Sequence, residues 1–179
     1  MNNNPIQWLA PFDDRFGSEM IYRLFSVGGK LFGVGFQRVE NIHDLNDKAV
    51  DIFVVKPDFV FPASGVWTLA FDEVDPDTVS FKGFGHVSHA ANNAGSVFRE
   101  VASIIFDHYS VCHAGAYVFC AAIDLQHQRK TDLTTLYSKA LGVNGFKQSR
   151  LFKARFAGWH PYSDVAKGGR CYVVTTKYY

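Results

Sequence analysis

The chain has 179 residues, 47% of them hydrophobic and 20% charged, a length and balance that fit one globular domain and exclude a disordered chain. A formal net charge of +1 excludes a chain-wide basic surface for nucleic acid, although a local patch would be hidden in the sum. With 17 Phe among 16% aromatic residues the core is expected to be Phe-rich, and three Cys, an odd number without a pairing spacing, fit a reducing compartment and a cytoplasmic protein.

Met1 to Pro5 lacks the basic and apolar regions of a secretory leader, and no run of about 18 apolar residues offers a membrane span, so no membrane partner is expected. Residues 1–15 read as an N-terminal segment, disordered at Asn2 to Asn4 and pinned to the domain by Trp8, Leu9 and Phe12. Met20 to Val27 and Lys30 to Val39 flank Gly28-Gly29, the signal of a hairpin with a two-residue turn. On its second strand Gly33 and Gly35 share a face, where a helix or a ligand can approach the backbone. Glu40 to Lys48 is polar and reads as a loop, followed by a short strand at Asp51 to Val55 and by Pro57 and Pro62. Val66 to Phe71 reads as a strand, Asp75-Pro76-Asp77 as a turn, and Val79 to Val87 as a returning strand loosened by Gly83 and Gly85.

Asn92 and Asn93 offer a cap to an amphipathic helix. Val97, Phe98, Val101, Ile104, Ile105 and His108 fall on one side of it, with Arg99, Glu100, Ser103 and Asp107 on the other. Ala116 to Ile123 is an unbroken apolar run of strand length, which suits a strand covered on both faces in mid-sheet. Thr131 or Asp132 can cap a second helix carrying Leu133, Leu136, Tyr137, Ala140 and Leu141, with Gly142 as its stop. Leu151 to Phe156 alternates Phe152, Ala154 and Phe156 against Lys153 and Arg155, a strand with one dry face. Gly158 to Gly169 is a long connection, and Cys171 to Thr176 the last strand. The order predicts an α+β fold: residues 1–179 as a single domain, a central twisted, mostly antiparallel mixed sheet of about six or seven strands, and two main helices.

From about Met20 onward, and most of all over Ala116 to Phe146, this order resembles the general-control-related N-acetyltransferase (GNAT) superfamily. There a central strand leads to a helix ending in a Leu-Tyr, small spacer, Gly-Phe signature; here Leu136-Tyr137 is followed by Gly142, and Gly145-Phe146 comes after a short insertion. The resemblance implies that acetyl-coenzyme A lies where two neighbouring strands splay, its pyrophosphate held by amides at a helix start, where the N–H groups are unpaired and the dipole is positive. The family's phosphate motif overlays Asn92-Asn93-Ala94-Gly95-Ser96-Val97, of which Gly95 holds. Asn92 stands for the usual Gln or Arg, and Val97 replaces a small residue. The implied cofactor-binding residues are Asn92, Gly95, Ser96 and Val97.

By the same resemblance Tyr137 matches the tyrosine that protonates the departing thiolate; a phenol of ordinary pKa about 10 carries that proton at neutral pH. Tyr137 also falls on the apolar stripe of its helix, so a core role is the alternative. Asp72, Glu73 and His86 are the candidates for a general base. The helices that the family places between its first two strands are replaced here by the Gly28-Gly29 turn.

His86-x-x-His89, with Cys112 and His113 further on, lacks a second ligand pair, and no metal site is assigned. Lys147, Arg150, Lys153 and Arg155, interleaved with Phe146, Phe152, Phe156 and Trp159, form the strongest basic cluster and the candidate surface for nucleic acid or a partner protein. Two readings follow. One is a non-catalytic GNAT-like module that binds a protein or a nucleic acid, its small Phe-rich chain being similar to those of phages and mobile elements. The other is an acetyl-coenzyme A-dependent N-acyltransferase with an amine acceptor.

Overall fold

The computed structural model describes residues 21–48, 50–78, 80–82, 94–121 and 133–179. The N-terminal segment with Trp8, Leu9 and Phe12, most of the expected return strand with Gly83, Gly85, His86 and His89, the Asn92 and Asn93 cap, the end of the Ala116 to Ile123 run, and Thr131 and Asp132 lie outside these residues.

Strands β1 (Ile21–Val27) and β2 (Lys30–Val39) form the expected hairpin. Gly28 and Gly29 both take positive φ, 59° and 78°, the conformation that a primed two-residue turn demands of its central positions. The polar stretch expected as a loop is instead helical. In α1 (Ile42–Asp47) Asn41 and Asp44 form a reciprocal capping box, which satisfies amide groups that a helix start leaves open. The expected strand at Asp51 to Val55 is also a helix, α2 (Ile52–Val55), capped by the Asp51 carboxylate on the amides of Phe53 and Val54. Its Ile52 and Val55 are the buried pair, three residues apart.

Strand β3 (Val66–Asp75) runs further than the apolar pattern indicates and turns at Pro76 into β4 (Ser80–Phe81). Helix α3 (Ala94–Cys112) leads to β5 (Ala116–Cys120), and α4 (Leu133–Leu141) ends at Gly142 with φ 75°. The segment expected as a basic strand is α5 (Arg150–Arg155), capped by the Ser149 hydroxyl on the Phe152 amide. The expected long connection contains β6 (His160–Ser163) before β7 (Cys171–Thr175) closes the chain's sheet.

The sheet is mixed, in the order β1-β2-β3-β5-β7-β6, with β4 paired to the far end of β3. The β3–β5 pair is parallel and every other pair antiparallel. As expected of its unbroken apolar run, β5 lies mid-sheet between β3 and β7 and is buried on both faces at Ala116, Tyr117 and Val118. Helices α3, α4 and α5 cover one face through Val101, Ile104, Leu141, Phe152 and Phe156; α1, α2 and Phe59 cover the other, against Val66, Val118 and Val173.

Two internal features fix this arrangement. His108 of α3 is fully buried, stacked on Phe36 with centroids 4.1 Å apart, and its Nδ1 shares a hydrogen with the Tyr117 hydroxyl over 2.8 Å. Burial lowers its pKa to about 3, because the imidazolium loses its water there. On the other face Cys120 and Cys171, directly opposed on β5 and β7, form a disulfide. This corrects the expectation of unpaired thiols: spacing along the chain gave no sign of a pair that only the strand register brings together. The cysteine count therefore no longer argues for a reducing compartment. Among the described residues no helix is long and apolar enough to cross a membrane.

Candidate functional site

The parallel strands β3 and β5 pair only over Val66–Thr68 and Ala116–Val118. Beyond Thr68 they part, and β3 next acquires a neighbour on that edge at Val74 and Asp75, where β4 pairs with it. The Glu73 carbonyl, which accepts from the Lys82 amide, and the Glu73 amide, which donates to the Asp72 carboxylate over 2.7 Å, both lie on the edge away from β2. Main-chain groups of a strand alternate sides, so those of Leu69 and Phe71 are directed to the same edge. Among the described residues no strand pairs with them there.

A cavity of about 330 Å³ occupies this gap, lined from β3 by Leu69 to Asp72, from β4 by Phe81, from β5 by Tyr117, Phe119 and Cys120, from β7 by Val174, and otherwise by α3, α4, α5, Ser149 and Trp159. Apart from Asp72, Tyr117, Tyr137, Ser149, Trp159 and Cys120 these side chains are wholly apolar, and the Tyr117 hydroxyl is taken up by His108. Such a largely apolar concavity with few polar groups is what small-molecule sites have in common.

Tyr137 lies in this lining, its ring edge-on to Phe98, Phe119 and Tyr172. Helix α4 is held in place from below. The Tyr172 hydroxyl donates to the Thr134 carbonyl over 2.8 Å, and it accepts from Ser138, which in turn accepts from Asn144 over 2.9 Å. Burial first, then the nearby Asp72 charge and Tyr172, raise the Tyr137 pKa well above the ordinary phenol value. Its hydroxyl stays protonated at every physiological pH and is a donor.

The other predicted site residues divide. Asp72 lines the cavity, whereas the neighbouring Glu73 does not. The Glu73 carboxylate is buried between Lys30, at 3.1 Å, and Lys82, at 2.8 Å. Although burial opposes it, these two hydrogen-bonded cations hold its pKa below the usual carboxylate value. His86 and Asn92 lie outside the described residues. At the start of α3, Gly95 and Ser96 are exposed while Val97 is buried in the core. The branched side chain of Val97 therefore points away from the solvent side of that first turn, and a Cβ on Gly95 would meet nothing within 4 Å. Phe98, next along α3, reaches the cavity.

Lys147, Arg150, Lys153 and Arg155 are all exposed, but the aromatic residues between them do not share their surface. Phe152, Phe156 and Trp159 are buried, and Phe146 alone is exposed, with the Lys139 ammonium 5.6 Å over its ring. Arg150, Lys153 and Arg155 are thus solvated residues of α5, with Lys147 in the loop before it, and they lack the interleaved stacking platform that a strand would have presented. Among the described residues no group of three or more His, Cys, Asp or Glu could hold a metal ion.

Sequence reasoning missed the floor of the cavity. Phe152, Phe156 and Trp159 recur at helical spacing, a signal available in the chain but overridden there by the equally good alternation of Phe152, Ala154 and Phe156. The edge at Leu69 and Phe71, unpaired among the described residues, had no signal of its own, since it follows from how far β5 accompanies β3. Compared with protein-family models, curated proteins and solved structures, the chain matches none of them.

Proposed function

We propose that this chain is a GNAT-like N-acyltransferase whose cleft between β3 and β5 takes the pantetheine arm of an acyl-coenzyme A. The observation that carries the reading is the parting of two parallel strands after three residue pairs, with an apolar cavity in the gap and a protonated tyrosine in its wall. An amide-bearing arm needs such a place, where strand main-chain groups that no described strand pairs with face an apolar wall and replace the hydrogen bonds it had in water. Coenzyme A would supply the acyl group as a thioester. The Leu69 and Phe71 main chain would orient the arm, the apolar wall would keep water from the thioester, and the Tyr137 hydroxyl would hold the proton that the departing sulfur requires. Gly95 and Ser96, exposed at the first turn of α3, have main-chain amides suited to phosphate.

Titration with coenzyme A tests the reading. A ligand bound to the native state alone raises stability by mass action, about 2.7 kcal/mol at a hundredfold excess over Kd, so the melting temperature should climb with concentration. An unchanged melting temperature at millimolar coenzyme A refutes it. Tyr137→Phe should then lower turnover of an acyl donor by about 10²-fold or more while leaving coenzyme affinity within a factor of about two.

A second reading, a GNAT-like module that binds a protein or nucleic acid without catalysis, is favoured by Glu73. This carboxylate is bound by two lysines and lies outside the cavity, which removes one of the three candidate bases. Coenzyme binding without release of thiol in the presence of any amine would select that reading.

A further inference from the structure

We infer that the acyl group accepted by this cleft is an apolar group of about six carbons rather than acetyl, an inference that rests on the acyl-coenzyme A reading above. The cavity does not end beside Tyr137. Its wall begins with half-buried Phe98, Phe119 and Tyr137 and continues to Tyr117, Phe156 and Trp159, which are only 1%, 6% and 6% exposed. It therefore reaches into the core of the α3–α5 face. A dry protein cavity of about 150 Å³ holds a six-carbon ring; this one is about 330 Å³, so about half of it suffices for such a group and the rest is left to the arm.

An acetyl group has one methyl to bury and would leave the floor at Trp159 untouched. Water is a poor occupant of that floor, since it needs two to four polar partners and the deep lining supplies rings and aliphatic carbons. Charge narrows the class further. Among the described residues no Lys or Arg lines the cavity, so an acyl group that ends in a carboxylate would lose its water there without gaining a cation.

The test is calorimetric titration of the full chain with coenzyme A and with its acetyl, butyryl, hexanoyl, octanoyl and succinyl thioesters, with free octanoate alongside. Burial of each added methylene should tighten binding about fourfold, so that hexanoyl exceeds acetyl by on the order of 10²-fold, and succinyl should fall below butyryl. Ala102→Leu and Ala140→Leu, two substitutions that narrow the cavity from different helices, should flatten the series, so that hexanoyl loses its advantage over acetyl. Coenzyme A binding with no gain beyond acetyl overturns the chain-length inference and leaves the acyltransferase reading standing. Octanoate binding without any coenzyme A derivative overturns the acyltransferase reading while supporting an apolar-chain pocket, and no binding by any of the probes overturns both.

Discussion

Acidification should weaken this fold well before its carboxylates are protonated, and the cause is His108. In the unfolded chain its imidazole takes up a proton near 6.5, whereas in the folded protein, stacked on Phe36 and wholly buried, it does so only near 3. Between those values the unfolded state binds more protons, so stability rises with pH and is lost as pH falls. Integrating the linkage from about pH 7.5 to about pH 5 gives a loss of about 2 kcal/mol, and continuing to about pH 3 gives about 4 kcal/mol in all. The upper part of this window belongs to the histidine, because Glu73 and Asp75 are held below their ordinary values of 4.5 and 3.8. Urea unfolding at a series of pH values, followed by tryptophan fluorescence, measures the slope. The double variant His108→Phe with Tyr117→Phe removes both partners of the 2.8 Å hydrogen bond and orphans neither, so it should fold and lose most of the slope above pH 5. A wild-type midpoint that is flat between about pH 7.5 and about pH 5, or a double variant that keeps the full slope, would refute the assignment.

Glycine substitutions should separate conformational strain from crowding. Gly142→Ala places a Cβ about 2.4 Å from the Gln148 main chain at φ 75° and should cost well over the 1–2 kcal/mol or so of a left-handed alanine; Gly145→Ala, at φ 84° in open space, should cost only that amount in the same unfolding assay. Reduction of the Cys120–Cys171 disulfide, which closes a separation of 51 residues, should remove about 2–4 kcal/mol, read as a shift in the urea midpoint with and without reductant. Peptide mapping under non-reducing conditions should recover the two cysteines in one linked fragment. Glu73→Gln should cost on the order of 1 kcal/mol through the loss of its two lysine pairs and leave coenzyme A affinity unchanged; a loss of that affinity would mean that this carboxylate reaches the cleft.

The parts of the fold that were legible in the sequence are those with a single physical explanation. Gly28-Gly29 between apolar runs can only be a turn, and the α3 stripe from Val97 to His108 fits no period but the helical one. The run from Ala116 has too many apolar residues for a strand with a wet face. Where two periods agree, the sequence was silent. Phe152 and Phe156 are four apart, which serves a strand and a helix alike, and the residue that decides is Ala154, exposed in α5 and therefore not on the dry face that an alternating strand requires. Short helices were lost for a different reason. In α1 the stabilising groups are the polar side chains of Asn41 and Asp44, and a reading that follows apolar residues passes over them.

Of the site residues that the resemblance implies, Tyr137 and Asp72 line the cavity and Glu73 does not. The disulfide, the edge at Leu69 and Phe71, and the depth of the cavity could not be read from the chain. All three depend on the register and reach of strands distant in sequence, and no local pattern encodes where two strands stop accompanying each other.

The meeting of β3 and β5 over only three residue pairs has a mechanical consequence. One half of the sheet, β1 to β4, is joined to the other, β5 to β7, by a seam shorter than the β1–β2, β2–β3, β5–β7 and β6–β7 ladders on either side. A guest lying along the edge that no described strand pairs with would add rungs to this seam, so that filling the cleft and stitching the two halves together become a single event, and whatever strengthens the one strengthens the other.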